Sequence, residues 1–203
     1  MRRAAAGAVL AAALACGCGD GGGATAAPTA SRVDAVTAAP AALRADTLDA
    51  FCDVHKAAAD ARPFAMPALD APDPPPAPPA PAWRWLNVWA TWCKPCVEEI
   101  PLLGKWKERL GSEGLPVVIE LLSVDEKRED VEAFRKEYPA TPPSLRLRES
   151  GGMGAFIGAL GLDSGASIPI HVFVDPGGKI RCVRTGAVRD TDYGAVKLLL
   201  SGA

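Results

Sequence analysis

The sequence has few histidines, little net charge and no long apolar run near its start, and each shortage argues against a class of function. Only His55 and His171 are present among 203 residues, so a zinc centre has few candidate ligands. The formal charge of -2 gives no reason to expect nucleic acid or an anionic surface as a partner. The apolar run 4–15 is too short to cross a bilayer as a helix.

An export signal is predicted over residues 1–15. A short basic region, Met1-Arg2-Arg3, precedes the apolar run, and Cys16 follows it with a glycine-rich stretch. This arrangement resembles a bacterial lipoprotein signal and makes Cys16 the candidate for lipidation, with Cys18 as a weaker second site. The alternative is ordinary signal cleavage in which Cys16 has no role. Either way, we expect an exported protein, and lipidation would tether it on the periplasmic side of a bacterial membrane.

Composition divides the rest of the chain into three parts. Residues 16–46 are rich in Ala, Gly, Thr and Pro without apolar periodicity, which predicts a disordered tether. Residues 47–81 form an N-terminal extension that ends in a stiff proline-rich spacer, 72–81. Residues 82–203 have the length of one compact domain with its own core.

A dithiol lies at the junction of a predicted strand, 83–90, and a predicted helix, 97–110. The positive end of the helix dipole favours a negative charge, so Cys93 should lose its proton more readily than a free thiol. Cys96 lies about one helical turn away and can attack a mixed disulfide formed on Cys93. Disulfide exchange is therefore the main prediction, although a lone C-x-x-C is also half of a zinc site.

The residues between the two cysteines support the same chemistry. Lys94 places a cation beside Cys93, which favours the thiolate. Pro95 has the backbone geometry of a first helical turn, where its missing N–H would be unpaired in any case. Both residues are candidates for tuning the site.

Apolar runs and helical periodicity predict an α/β domain with the order βαβα followed by ββα. The first two strands should be parallel, because a helix connects them, and an Asp-Pro-Gly-Gly turn at 175–178 predicts an antiparallel hairpin. The remaining predicted elements are a strand at 115–124, helices at 127–138, 153–160 and 193–200, and strands at 170–174 and 180–184.

Two motifs resemble the signatures of the TlpA/ResA-like thioredoxins. Residues 87–101 match N-x-W-A-T-W-C-x-P-C-x-x-E-x-P, and Ile168-Pro169 with 172–175 match a proline followed by a strand ending in aspartate. The resemblance covers about residues 83–200. It implies a thioredoxin fold, with a central mixed sheet and helices on both faces, and a thiol-disulfide oxidoreductase that uses the Cys93–Cys96 pair without a bound cofactor.

The resemblance also implies roles around the dithiol. Pro169 would be cis, face the dithiol and block metal capture. The backbone of Ile168 would then be free to pair with a substrate segment, and Trp92 would cover one side of Cys93. These three residues are the predicted substrate-binding set.

Proton transfer is the part of the chemistry that the sequence leaves open. Asn87 stands where cytoplasmic thioredoxins carry a buried aspartate, and an amide cannot carry a proton. Glu98 and Glu99 are candidates, but glutamates in this part of a helix are expected to be solvated. We expect His171 to be an ordinary half-buried strand residue, with copper binding as the alternative.

Cys52 and Cys182 lie outside the dithiol, and an oxidising compartment would allow a structural disulfide between them. Such a bond would hold the N-terminal extension, in which Cys52 lies in a short helix-like segment, 51–55, onto the last strand. Two free buried thiols, or a metal site formed by Cys52 and His55, are the alternatives. No metal site is predicted.

The function that the resemblance favours is reduction of disulfides in secreted or membrane proteins, as in cytochrome c maturation. Clients would then be disulfide-containing proteins, and electrons would come from a membrane protein. A copper- or zinc-handling protein of the same fold is the alternative class.

Overall fold

The computed structural model describes residues 47–70, 78–149 and 151–202. The predicted export signal, the tether, Cys16 and most of the proline-rich spacer lie outside the described residues. No helix in these described ranges has both the length and the apolar character needed to cross a membrane.

A six-stranded mixed sheet forms the centre of the described part of the chain, with strand order β1-β6-β5-β2-β3-β4. β2 is parallel to β3, which is parallel to β4, and the other three pairings are antiparallel. The strands are β1 (Val54–His55), β2 (Trp83–Trp89), β3 (Val117–Ser123), β4 (Ser144–Arg146), β5 (Ile170–Val174) and β6 (Ile180–Thr185). The predicted α/β class with a central mixed sheet is confirmed.

Helices cover both faces of the sheet, as predicted. They are α1 (Lys94–Ser112), α2 (Arg128–Glu137), α3 (Gly152–Leu160) and α4 (Tyr193–Leu200). Side chains alternate between faces along each strand, so β2 presents Trp85 to the core under α1 and α4, and Leu86 to the core under α3. Trp85 lies opposite Phe173 of β5, and their ring centroids are 4.5 Å apart.

The N-terminal extension contributes to the same sheet and core. Residues 47–51 are helical, and Phe51 is buried against Phe173 at 6.0 Å between ring centroids. β1 pairs with β6, and a disulfide joins Cys52 to Cys182. The helix-like segment predicted for 51–55 is wrong beyond residue 51, because Val54 and His55 form the edge strand instead.

Two other element boundaries differ from expectation for physical reasons. α1 begins at Lys94, before the first apolar residue of its period, because Pro95 is accommodated in the first turn without losing a hydrogen bond. The edge strand β4 was not predicted, because Leu145 and Leu147 alternate with Arg146 and Arg148 over a span too short to identify a strand.

Candidate active site

The two cysteines of the dithiol differ in their access to solvent. Cys93 is the N-cap of α1, with an exposed fraction of 5%, whereas Cys96 lies inside the first turn and is fully buried. They form a disulfide in this structure. Of the two sulfurs, therefore, only that of Cys93 can be reached from outside.

A groove of about 840 Å³ runs past Cys93. Trp92 and Pro95 line one side, and Met153 and Ile157 of α3 line the other. Trp92 is 71% exposed, which is unusual for a tryptophan in a protein whose other large apolar side chains are mostly buried. The groove has the size and apolar character of a binding site for a peptide side chain.

Ile168 lines this groove, and Pro169 follows it directly before β5. Their peptide bond is cis, and the carbonyl oxygen of Ile168 is 3.9 Å from Sγ of Cys93. The structure thus brings Trp92, Cys93 and Ile168 together around one groove. Cys93 and Ile168 are 75 positions apart in the sequence, and the sheet brings them together.

Glu99 is buried beneath the dithiol, and the expectation that it is solvated is wrong. Its exposed fraction is 3%. It lies on the apolar stripe of α1, three residues after Cys96 and four before Leu103. Asn87 Nδ2–H donates to Oε1 at 2.7 Å, and the backbone N–H of Val188 donates to Oε2 at 2.8 Å. By contrast, Glu98 is exposed.

His171 is fully buried, which corrects the expectation of a half-buried strand residue. Trp85 Nε1–H donates to its Nδ1 at 3.1 Å, and its Nε2 is 3.3 Å from Oε2 of Glu99. The Nε2 contact is at ion-pair distance without the alignment of a hydrogen bond. Together, Trp85, Asn87, Glu99 and His171 form a buried polar cluster under the first turn of α1.

Three similarities connect this geometry to known proteins. ResA, a thiol-disulfide oxidoreductase of Geobacillus thermodenitrificans, is 28% identical over 108 residues, which are 53% of this chain and 56% of that protein. The thioredoxin-like protein YneN of Bacillus subtilis is 37% identical over 60 residues, 30% of this chain and 35% of YneN. The structure of a thioredoxin-related protein from Neisseria meningitidis serogroup B matches at a TM-score of 0.53 and 26% identity, covering 66% of this chain and 95% of that one.

The chain is a thioredoxin-fold relative of the ResA oxidoreductases. The fold and the resemblance predicted from the two signatures are confirmed. No protein-family model matches the chain. The alignments span about half the length of the ResA relatives and about a third of YneN.

The loop that carries the dithiol in this ResA relative is held by Asp125, which sequence reasoning used only to end a strand. Thr91 donates to its carboxylate through the backbone N–H at 3.1 Å and through Oγ1 at 2.7 Å. Ser123 Oγ donates at 2.7 Å. The sequence signal for this role is an aspartate shortly after β3. This strand pairs with β2, which precedes the dithiol.

The second cysteine pair is a buried disulfide between Cys52 and Cys182. His55 does not join them, because its Nδ1 is 2.6 Å from Asp49 Oδ1. Within the described ranges, no group of three or more His, Cys, Asp and Glu side chains is placed to hold a metal ion. Lys94 points into solvent, 3.7 Å from Glu98 across one helical turn.

Proposed function

We propose that this protein is a thiol-disulfide oxidoreductase whose reduced dithiol transfers two electrons to a client disulfide. The observation that carries the proposal is the asymmetry of the pair: Cys93 borders an open groove, and Cys96 is buried behind it. The Cys93 thiolate attacks one client sulfur and releases the other as a thiolate. Cys96 then attacks Sγ of Cys93, which frees the second client sulfur and leaves the Cys93–Cys96 disulfide.

The resolving step needs a base, because Cys96 must lose its proton while buried. Two carboxylates in the described residues are buried to a similar degree, those of Glu99 and Asp125. Asp125 is held by Thr91 and Ser123. Glu99 follows Cys96 by three residues on the same face of α1. We therefore assign Glu99 the role of the base that takes the proton of Cys96.

We expect client proteins to bind in the groove beside Cys93 and to the backbone of Ile168. Trp92 offers an exposed aromatic surface, and the backbone of Ile168, fixed by Pro169, offers polar groups for an extended client segment beside its cysteine. Lys94 and Pro95 would tune the site by charge and by shaping the first turn of α1. The dithiol itself carries the electrons, without a further cofactor.

The direction that we propose is reduction of disulfides in secreted or membrane proteins, as in cytochrome c maturation, with a membrane protein as electron donor. Support comes from the ResA-like relatives, whose name is thiol-disulfide oxidoreductase, and from the predicted export signal. We also propose that Cys16 carries a lipid that anchors the chain on the periplasmic side of the membrane. Labelled fatty acid should then be incorporated by a Cys18→Ser variant and not by Cys16→Ser.

Redox titration of the full chain, combined with trapping, tests the oxidoreductase proposal. A reductase should have a potential toward the low end of the range from roughly -270 to -120 mV for dithiols of this fold. Cys96→Ser should accumulate mixed disulfides with client proteins, whereas the matched variant Cys93→Ser should not.

Two results would contradict the proposal. A potential near the upper end of that range would identify an oxidant rather than a reductase. Tight, stoichiometric binding of copper or zinc that is lost in Cys93→Ser would support the metal-handling alternative.

A further inference from the structure

The buried polar cluster contains a histidine that the reaction above does not use. Its contacts define which ring nitrogen carries the proton. An indole N–H can only donate, so Nδ1 of His171, which accepts from Trp85 at 3.1 Å, must be unprotonated. Asn87 Nδ2 lies 3.3 Å from the same Nδ1 and can likewise only donate. The neutral imidazole therefore has its proton on Nε2.

That proton faces Glu99, because Nε2 is 3.3 Å from Oε2. A doubly protonated ring would lose the Trp85 hydrogen bond inside the core, so the two donors from β2 oppose its formation. The cation opposite His171 in the sheet has partners of its own. Arg184, opposite His171 on β6, is 3.6 Å from Asp192 and donates to the Phe51 carbonyl at 2.8 Å.

We infer that His171 is a positioning residue for Glu99: a ring fixed with its Nε2–H toward Oε2 holds the buried carboxylate in place to take the proton of Cys96. This inference rests on the proposed function. The ring itself neither gains nor loses a proton during the reaction. The proton moves from Cys96 Sγ to the Glu99 carboxylate, and His171 fixes the orientation of that carboxylate.

A purely structural role for this pair is a poor explanation of its chemistry. A buried ionisable pair is often no more stabilising than apolar side chains of similar volume. The cluster also retains two buried polar atoms without an aligned partner in the described residues, Nε2 of His171 and Oδ1 of Asn87. Buried polar groups without a partner call for an explanation, and a role in the reaction is one.

The test separates the two chemical steps of the reduced full-length protein reacting with 5,5′-dithiobis(2-nitrobenzoate). Cys93 releases the first thionitrobenzoate and Cys96 releases the second, so the second phase of stopped-flow absorbance reports the resolving step. Its rate is measured for wild type, His171→Leu and His171→Gln. Leucine removes the donor, and glutamine keeps an uncharged N–H donor.

We expect the second phase to slow by about tenfold in His171→Leu, because the carboxylate that takes the proton of Cys96 loses the group that fixes its position. His171→Gln should restore the rate to within about threefold of wild type, because glutamine keeps an uncharged N–H group. The control is Val172→Ala, whose side chain lies on the opposite face of β5 and belongs to the other core. It should lower the denaturation midpoint without slowing the second phase.

Imidazole nitrogen chemical shifts, recorded by NMR on the wild-type protein, provide a readout independent of activity. They should show the proton of the neutral ring on Nε2 and not on Nδ1. An unchanged second-phase rate in a folded His171→Leu, or a proton on Nδ1, would overturn the inference. A wild-type protein that does not reduce protein disulfides would contradict the proposed function. The NMR measurement of the His171 tautomer on the same sample would still test the inference about His171.

Discussion

At the scale of single residues, Glu98 and Glu99 provide a matched pair for testing proton transfer. They are neighbours on α1, yet Glu98 is exposed and Glu99 is buried with Asn87 and Val188 as donors. We expect Glu99→Gln to slow the resolving phase by about 10²-fold or more, the usual loss when a general base is removed. Glu98→Gln should leave it within about twofold of wild type, because its carboxylate is solvated.

Stopped-flow measurement of the second thionitrobenzoate phase, with circular dichroism to check folding, compares the two variants directly. The first phase belongs to Cys93 and should change little in either variant. Equal slowing by both substitutions, or none by Glu99→Gln, would remove Glu99 from the mechanism.

The burial of Glu99 is a feature of a single residue that could not be predicted from the sequence. Cys96, Ile100 and Leu103 already indicated a buried stripe on α1, and Glu99 falls on that stripe. Its charge suggested the surface instead. The donors that make burial tolerable come from Asn87 on β2 and from Val188 just before α4, and no local pattern indicates that these will meet it.

At the scale of secondary-structure elements, prediction succeeded where an apolar run or period was long. β2, predicted at 83–90, is Trp83–Trp89, and α4 has the predicted bounds. The edge strands β1 and β4 escaped prediction because two and three residues carry no periodic signal. Their positions are fixed by contacts distant in sequence, such as the pairing of β1 with β6.

The Cys52–Cys182 disulfide links the segment before β1 to β6. Its removal should mainly lower the stability of the fold. It closes a loop of 130 residues, for which the chain-entropy account gives roughly 4 to 5 kcal/mol. We therefore expect Cys52→Ala/Cys182→Ala to lower the free energy of unfolding in urea by several kcal/mol. The rates of both thionitrobenzoate phases, measured well below the urea midpoint, should stay near wild type, because neither cysteine borders the groove.

A second measurement controls for the loss of buried sulfur contacts in the double variant. The free energy of unfolding of the wild-type protein is compared before and after its disulfides are reduced under denaturing conditions. A double variant as stable as wild type would show that the disulfide contributes nothing to the fold. A large loss of the Cys93 phase in a folded double variant would instead connect this disulfide to the active site.

At the scale of the whole molecule, ion pairs of Asp70 also join the N-terminal extension to the sheet. Asp70 accepts from Arg128 Nη2 at 2.6 Å and from Arg146 Nε at 3.0 Å. Arg146 also donates to the carbonyl oxygens of Asp125 at 3.1 Å and Glu126 at 2.9 Å. One guanidinium thus connects the extension to the strand end that holds the dithiol loop.

This connection should make stability depend on pH in a defined direction. The hydrogen bond from Arg146 lowers the pKa of Asp70, an effect that partial burial opposes and the nearby charges of Arg146 and Arg128 reinforce. A carboxyl with a lowered pKa in the folded state stabilises the fold above its unfolded pKa, and this contribution is lost as pH falls through the folded value. We therefore expect wild type to be more stable than Asp70→Asn at neutral pH, and the difference to disappear progressively below about pH 4.

Urea unfolding at a series of pH values measures this difference, with Asp60→Asn as the control for removing an exposed carboxylate from the same segment. The control should follow wild type across the range. High salt should reduce the Asp70 effect only in part, because the contact combines charge with direct hydrogen bonds. A wild-type advantage over Asp70→Asn that persists unchanged at low pH would show that packing, rather than the ionised carboxylate, joins the extension to β4 and α2.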